Sequence, residues 1–192
     1  MATQPWWKIP DPDEPDLRLI ERIGRGDPAA LEALYARHGR ALLAYLIGQV
    51  SDPHLAEEVL QDVMLAVWRG AARFRGESAV RTWLLAIARR RAITARQRRP
   101  PVERPLDDRA ATDDTGPLEL VERQTERSAV RAALRDLPDD QRETLELVFF
   151  HGLSGPEAAE VLGVAPGTVK SRLHRAKNVL ERVLRMRENT DA

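Results

Sequence analysis

The stretch Leu153–Leu184 contains two helical patterns separated by a glycine, and it constrains the fold more than any other part of the chain. Ser154 is suited to cap the first helix, and Pro156 suits its first turn. Gly163 is expected to end that helix, because glycine adopts the left-handed backbone of a C-cap without strain. Pro166 suits the start of the second helix, where its missing N–H costs no hydrogen bond. The pattern predicts two helices joined by a sharp turn.

The second helix is predicted to be amphipathic, with a basic outer face. Its inner side carries apolar residues at three- and four-residue steps: Val169, Leu173, Ala176, Leu180, Val183 and Leu184. Its outer side and flanks carry Lys170, Ser171, Arg172, His174, Arg175, Lys177, Asn178 and Arg182. This is the helix-turn-helix layout, in which the second helix enters the major groove of DNA. A surface helix with solvated charges is the alternative interpretation.

The distribution of charge supports a polyanionic partner, although the net charge is zero. Residues 69–99 hold ten arginines and one acidic residue, and residues 164–187 hold seven Lys or Arg and one Glu. The segment 100–127 between them is net acidic. Two basic blocks separated by an acidic spacer can bind a polyanion at two places.

Several classes of site are not expected. There is no cysteine, the four histidines are scattered, and no phosphate-binding Gly-Lys-Ser/Thr loop occurs. We therefore predict no enzyme, no catalytic residues, no cofactor and no metal. The chain start is not a signal peptide, and no segment is long and apolar enough to span a membrane, so we expect a cytoplasmic protein without membrane insertion.

Helix-forming residues dominate the chain, which favours an all-α fold of two small helical domains. We predict a mobile leader over 1–16, a first domain over 17–99, a flexible linker over 100–126, a second domain over 127–187 and a tail over 188–192. In the first domain the core candidates of one long helix are Leu31, Leu34, Tyr35, Leu42, Tyr45 and Leu46. In the second, Asp139 is expected to cap a helix with Leu145, Val148 and Phe149 on its inner side.

The helix predicted from about His54 to Trp68 has an apolar inner face and an acidic outer face that contains a leucine. The inner face is formed by Ala56, Val59, Leu60, Val63, Met64, Val67 and Trp68. The outer face is formed by Glu57, Glu58, Gln61, Asp62 and Leu65. An exposed leucine among acids suggests a protein partner with a basic, partly apolar surface, whereas acids alone would be a solvated face.

A further helix, from about Ser78 to Arg99, carries an apolar stripe and a concentration of arginines. The stripe is Val80, Trp83, Leu84, Ile87 and Ala88. The arginines are Arg81, Arg89, Arg90, Arg91, Arg96, Arg98 and Arg99. Cations stabilise a helix C-terminus, but seven exceed that need, so contact with phosphates is the favoured interpretation.

Three stretches in this order resemble the extracytoplasmic-function (ECF) group of bacterial σ factors, a compact branch of the σ70 family. Residues 55–68 (LAEEVLQDVMLAVW) are similar to the region 2.2 helix, and residues 74–89 (FRGESAVRTWLLAIAR) to regions 2.3 and 2.4. Residues 137–145 (LPDDQRETL), 152–154 (GLS) and 167–176 (GTVKSRLHRA) are together similar to region 4. The match covers roughly residues 17–184.

The resemblance implies a function for each surface. Core RNA polymerase would be bound through its β′ clamp helices and β flap, with Glu57, Glu58, Gln61, Asp62 and Leu65 on the σ side of the β′ contact. The −10 promoter element would be met by Arg75, Arg81, Trp83, Arg89, Arg90, Arg91 and Arg96. The −35 element would be met by Thr168, Lys170, Ser171, Arg172, His174, Arg175 and Lys177. An anti-σ factor is also implied by the group.

The chain departs from the family pattern at several positions. Arg90 stands where relatives often have Asn, near a flipped −10 base, and Thr94 stands where they often have Asp. The base preference at −10 is therefore open. Trp6 and Trp7 have no counterpart in the family. Two alternatives remain: a repressor or response-regulator output protein, which would not need the Leu65 face, and a helical adaptor that binds proteins alone.

Overall fold

The computed structural model describes residues 14–98, 134 and 137–188, with side chains given to residue 182. These residues form helices and turns without a strand, so the all-α prediction is confirmed. The chain divides into two compact units, residues 1–104 and 105–192. The predicted linker 100–126, most of the leader 1–16 with Trp6 and Trp7, and most of the tail 188–192 lie outside the described residues.

The first unit contains four described α-helices. They are α1 (Asp16–Gly24), α2 (Pro28–Val50), α3 (Pro53–Gly70) and α4 (Val80–Arg98). A short 3-10 turn, Ala71–Arg73, follows α3. Helices α2, α3 and α4 pack against one another, and α1 packs on α2. The core at their centre includes the fully buried Leu34, Leu46, Val63, Val67 and Leu84.

Aspartates that stand directly before a proline cap two of these helices. The Asp27 carboxylate accepts the Ala29 N–H at 3.0 Å, and the Asp52 carboxylate accepts the N–H groups of His54 and Leu55. Asp27 also accepts bonds from Arg22 Nη2 at 2.7 Å and Nε at 2.9 Å. Burial raises the pKa of Asp27, but the bonds and charge of Arg22 outweigh it, so this pKa lies below its usual value.

The predicted apolar faces of the first unit are mostly buried, Leu31 and Trp83 are partly buried, and two predicted residues are exposed. Tyr35 is half exposed and Trp68 is more than a third exposed, so both predictions of burial are wrong. Each side chain lies at the edge of its helix's apolar stripe, and a helical wheel does not say how wide a stripe the neighbouring helices cover. The other predicted inner residues of α3 are buried.

The second unit is built around the helix-turn-helix. Its described helices are α5 (Asp139–Leu145), α6 (Gly155–Leu162) and α7 (Pro166–Glu188), with a π-helical turn, Glu146–Phe150, after α5. Helix α5 and helix α6 both pack on α7. Leu137, Leu145 and Ala176 form a buried cluster, on which the partly buried Leu173 and Leu180 pack.

The π-helical turn overturns part of the prediction for α5. Phe149 is 71% exposed, whereas Leu147 is fully buried. The prediction was wrong because the wider turn, with His151 N–H bonded to the Glu146 carbonyl, breaks the three- and four-residue spacing on which it rested. Asp139 is the first residue of α5 rather than its cap, since Pro138 occupies the cap position.

Candidate nucleic-acid and protein interfaces

The turn between α6 and α7 is fixed by local interactions that the sequence indicated. Ser154 and Glu157 form a reciprocal capping box, in which Glu157 Oε2 accepts the Ser154 backbone N–H at 2.8 Å. Gly163 ends α6 in the left-handed conformation with φ of +68°. The Val164 N–H then returns to the Ala159 carbonyl at 3.1 Å, which closes the turn before α7 begins at Pro166.

One side of α7 is free to meet a nucleic acid. Lys170, His174, Arg175 and Lys177 are exposed, while Val169 and Ala176 on the other side are buried. The four exposed residues belong to the predicted −35 set, and the lysine and arginine donors among them suit phosphates and the acceptor edges of guanine.

The two hydroxyl residues of the predicted −35 set are partly buried at the start of α7. Ser171 Oγ donates to the Thr168 carbonyl at 2.9 Å, and Arg175 Nη2 reaches Ser171 Oγ at 3.4 Å. The structure therefore places Ser171 beside Arg175 on consecutive turns of the helix. A hydroxyl bonded to its own backbone can still accept a bond from a ligand donor.

Arg172, the remaining residue of the set, is placed differently. Its side chain is 19% exposed, and Arg172 Nε lies 3.0 Å from Asp140 Oδ2 of α5. This ion pair links the second helix of the helix-turn-helix to a different helix of the same unit. Local sequence patterns do not indicate this pair, because its two residues are far apart along the chain.

The first unit contains a cavity of about 350 Å³ between the end of α3, the segment after it and α4. Its walls are formed by Ala66, Gly70, Arg73, Phe74, Trp83, Ile87, Arg90, Arg91 and Thr94. The Phe74 and Trp83 rings face each other with centroids 4.8 Å apart, tilted by 44°. An aromatic pair with guanidinium groups beside it is the chemistry that holds an unstacked base.

Three residues of the predicted −10 set, Trp83, Arg90 and Arg91, line this cavity. The others are not among its lining residues: Arg75, Arg81, Arg89 and Arg96. Of these, Arg75, Arg81 and Arg96 are exposed and Arg89 is partly buried, and Arg75 lies 3.5 Å from Glu77. Sequence reasoning missed Arg73 and Phe74 as cavity residues. An aromatic residue within the break between two helices was the available signal.

Arg90 is oriented by its own helix. Its Nε donates to the Ala86 carbonyl at 3.2 Å, and the Thr94 hydroxyl donates to the Arg90 carbonyl at 3.0 Å. The side chain is exposed at the cavity, so its terminal nitrogens can serve a ligand. Arginine has donors and no acceptor, so it suits acceptor atoms of a base or a phosphate.

The outer face of α3 is exposed over its predicted length. Glu57, Glu58, Gln61 and Asp62 are all exposed, and the Leu65 side chain lies among them with half its surface exposed. Trp68 lies one turn beyond Leu65 and extends the apolar part of this face. Acidic side chains around an apolar centre fit a protein surface that is basic at its rim.

Within residues 14–98 and 137–188, no group of three or more His, Asp or Glu residues is arranged to hold a metal ion. None of the helices in this part of the chain has the length and apolar character needed to cross a membrane.

Comparison with known proteins identifies two matching families. Residues 34–100 match sigma-70 region 2, and residues 127–180 match sigma-70 region 4. The RNA polymerase sigma-H factor of Pseudomonas aeruginosa is 34% identical over 182 residues, which cover 89% of this chain and 94% of that protein. The ECF RNA polymerase sigma factor SigM of Mycobacterium tuberculosis is 36% identical over 178 residues, which cover 88% and 84%.

Among solved structures, the sigma factor RpoE of Bartonella quintana, in complex with the anti-sigma factor NepR, is similar to this chain. The TM-score is 0.65 at 26% identity, and the alignment covers 80% of this chain and 96% of that one. The alignment therefore spans most of both chains.

Proposed function

The chain belongs to the ECF group of the σ70 family. We propose that separate surfaces of this chain bind core polymerase, the −10 element and the −35 element during promoter-specific transcription initiation. Such a protein is an initiation factor of RNA polymerase, and it acts by binding. The observation that carries our assignment is the order of three surfaces along one chain: the acidic α3 face, the arginine-lined cavity and the basic α7 face.

The first domain, about residues 17–99, binds core polymerase through the outer face of α3. Glu57, Glu58, Gln61, Asp62 and Leu65 meet the β′ clamp helices. Acids in water-exposed positions steer a basic partner, while Leu65 supplies apolar area at the centre of the contact. The exposure of all five side chains supports this assignment.

The same domain binds the −10 element through the cavity and the arginines around it. An unstacked base enters between the Phe74–Trp83 pair and Arg90, and Arg91 lies beside it. Arg75, Arg81, Arg89 and Arg96 neutralise the phosphates of the separated strands. The cavity's volume supports this assignment, because about 350 Å³ lies near the lower end of the volumes of pockets that bind small organic molecules.

The second domain, about residues 127–187, binds the −35 duplex through α7. Lys170, His174, Arg175 and Lys177 contact base edges or phosphates, and Thr168 and Ser171 bind at the helix start. The domain is expected to bind weakly by itself and to gain effective affinity from its tether to a domain held on polymerase.

An anti-σ factor controls this protein by covering these surfaces. The support is the similar sigma factor RpoE, which was solved in complex with its anti-sigma factor. Transcription takes place where the chromosome lies, so we propose that the chain works in the cytoplasm.

The test is reconstitution of initiation. The purified chain is mixed with a bacterial core RNA polymerase and a library of randomised duplex templates, and transcript starts are sequenced. We expect starts to share an upstream and a downstream element that core polymerase alone does not use. A repressor would bind duplex DNA without core, and an adaptor would show no salt-dependent DNA affinity; either result, with no promoter-dependent start, would contradict the proposal.

A further inference from the structure

The ion pair between Arg172 and Asp140 separates Arg172 from the other basic residues of α7. Arg172 Nε lies 3.0 Å from Asp140 Oδ2, and the Arg172 side chain is 19% exposed. Lys170, Arg175 and Lys177, which lie on the same helix, are exposed. The Arg172 side chain is mostly covered and its Nε already pairs with a carboxylate, so it is poorly placed to give its charge to a phosphate.

The location of the pair shows what it connects. Leu173, the next residue, packs on the buried cluster of Leu137, Leu145 and Ala176, where α5 meets α7. Arg172 itself reaches Asp140, so its side chain lies on a side of α7 that faces α5. Its partner Asp140 lies in the first turn of α5, where the positive end of the helix dipole favours a carboxylate.

Such a pair can fix the rotation of α7 about its own axis. The cluster consists of leucine and alanine side chains, and apolar contacts are not directional. An arginine–carboxylate bond is directional, so it selects one rotation of α7 relative to α5. That rotation decides whether Lys170 and Arg175 reach the groove together.

We propose that Arg172 is a positioning residue, which sets the angle of the recognition helix through Asp140 and does not contact DNA. This inference rests on the proposed binding of the −35 element by α7. It assigns to Arg172 a role different from the DNA contact that the resemblance implied.

The two roles predict opposite effects of removing the charge of Asp140. If Arg172 is a positioning residue, Asp140→Asn weakens −35 binding about three- to tenfold, as does Arg172→Gln, and the double variant is no weaker than either. If Arg172 binds DNA, Asp140→Asn leaves affinity unchanged or raises it, because the variant removes a negative charge near DNA.

The chain offers a matched control for this charge change. Asp139 adjoins Asp140 in the same first turn, and its carboxylate pairs with Arg142 of its own helix. Asp139→Asn therefore removes the same charge from the same turn while Asp140, the carboxylate paired with Arg172, stays in place. We expect it to bind the −35 duplex at least as well as the wild type.

The salt dependence of −35 affinity distinguishes loss of a phosphate contact from general damage to the fold. The assay uses holoenzyme and a short duplex that carries the upstream element selected by wild-type holoenzyme. Loss of one phosphate contact lowers the slope of log affinity against log salt by about 0.9, which we expect for Lys170→Ala. The slope should be unchanged for Arg172→Gln, with thermal melting used to verify that each variant is folded.

Each outcome is decisive. Equal weakening by Asp140→Asn and Arg172→Gln, with wild-type slopes and partial recovery in Arg172→Lys, supports the proposal. A lowered slope for Arg172→Gln, or no loss of affinity for Asp140→Asn, overturns it. If wild-type holoenzyme selects no upstream element, the proposed function itself has failed, which is a different result.

Discussion

The Phe74 ring lies 4.8 Å from the Trp83 ring, centroid to centroid, and this contact joins the irregular segment after α3 to helix α4. Both rings line the cavity that also holds Arg90. The contact thus places two aromatic faces and a guanidinium around one space, although the residues come from different elements.

Arg90 is expected to discriminate among bases at one −10 position. Replacing Arg90 with Ala should weaken binding of the preferred base by about 1–3 kcal/mol and leave the other bases little affected. The measurement is holoenzyme affinity for four DNA fragments with a single-stranded −10 segment that differ at that position. Uniform weakening for all four bases would assign Arg90 to the backbone instead.

Arg175 is expected to contact the −35 element directly. Arg175→Ala should cost about 1–3 kcal/mol of binding if the side chain contacts a base, with little change in thermal stability because the residue is exposed. Promoter affinity and transcript yield are measured with wild-type and variant holoenzyme. Unchanged values for both would refute the contact.

The outer face of α3 is expected to hold core polymerase. Charge reversal with Glu58→Lys and Asp62→Lys should reduce affinity for core about tenfold or more, because like charges then meet across the contact. Affinity of the chain for −35 duplex DNA should not fall. The control is Glu21→Lys with Glu32→Lys, which makes the same charge change at exposed positions of α1 and α2; an equal loss there would indicate a nonspecific charge effect.

Replacing Gly24 with any larger residue is expected to lower the stability of the first unit. A Cβ at this position would lie 3.0 Å from Ala72 Cα, a backbone atom that cannot move independently. Gly24→Ala should therefore destabilise the first unit by about 1–3 kcal/mol. Gly70→Ala is the control, since its Cβ would meet a ring atom of Trp83 at an ordinary 3.7 Å. Denaturant unfolding of both variants makes the comparison.

The Arg22–Asp27 pair is expected to make stability depend on pH in the acid range. The pKa of Asp27 lies below its unfolded value, so its stabilisation is present above the unfolded pKa, about 3.9, and is lost as pH falls through the lower folded value. Asp27→Asn keeps a capping oxygen but removes the charge. Its melting temperature should be lower than wild type near neutral pH, with the difference shrinking below about pH 4; a constant difference would contradict the linkage.

The starts of α2, α3 and α6 follow from residues next to one another in the sequence. Asp27, Asp52 and Ser154 each bond to backbone groups two or three residues away, so their capping role can be read from neighbouring positions. Gly163 ends α6 because it adopts the left-handed backbone, which is a property of glycine itself. The buried faces of α3 and α7 also follow from spacing, because helical periodicity is local.

Other features depend on residues far apart along the chain or on a change of helical phase, and these arise from packing between helices. The π-helical turn exposes Phe149 and buries Leu147, and no short-range sequence pattern predicts this turn. Packing brought Phe74 to Trp83 and Asp140 to Arg172. Which donors remain free for a ligand depends on such partners, and a partner's position follows from how separate helices pack rather than from local sequence.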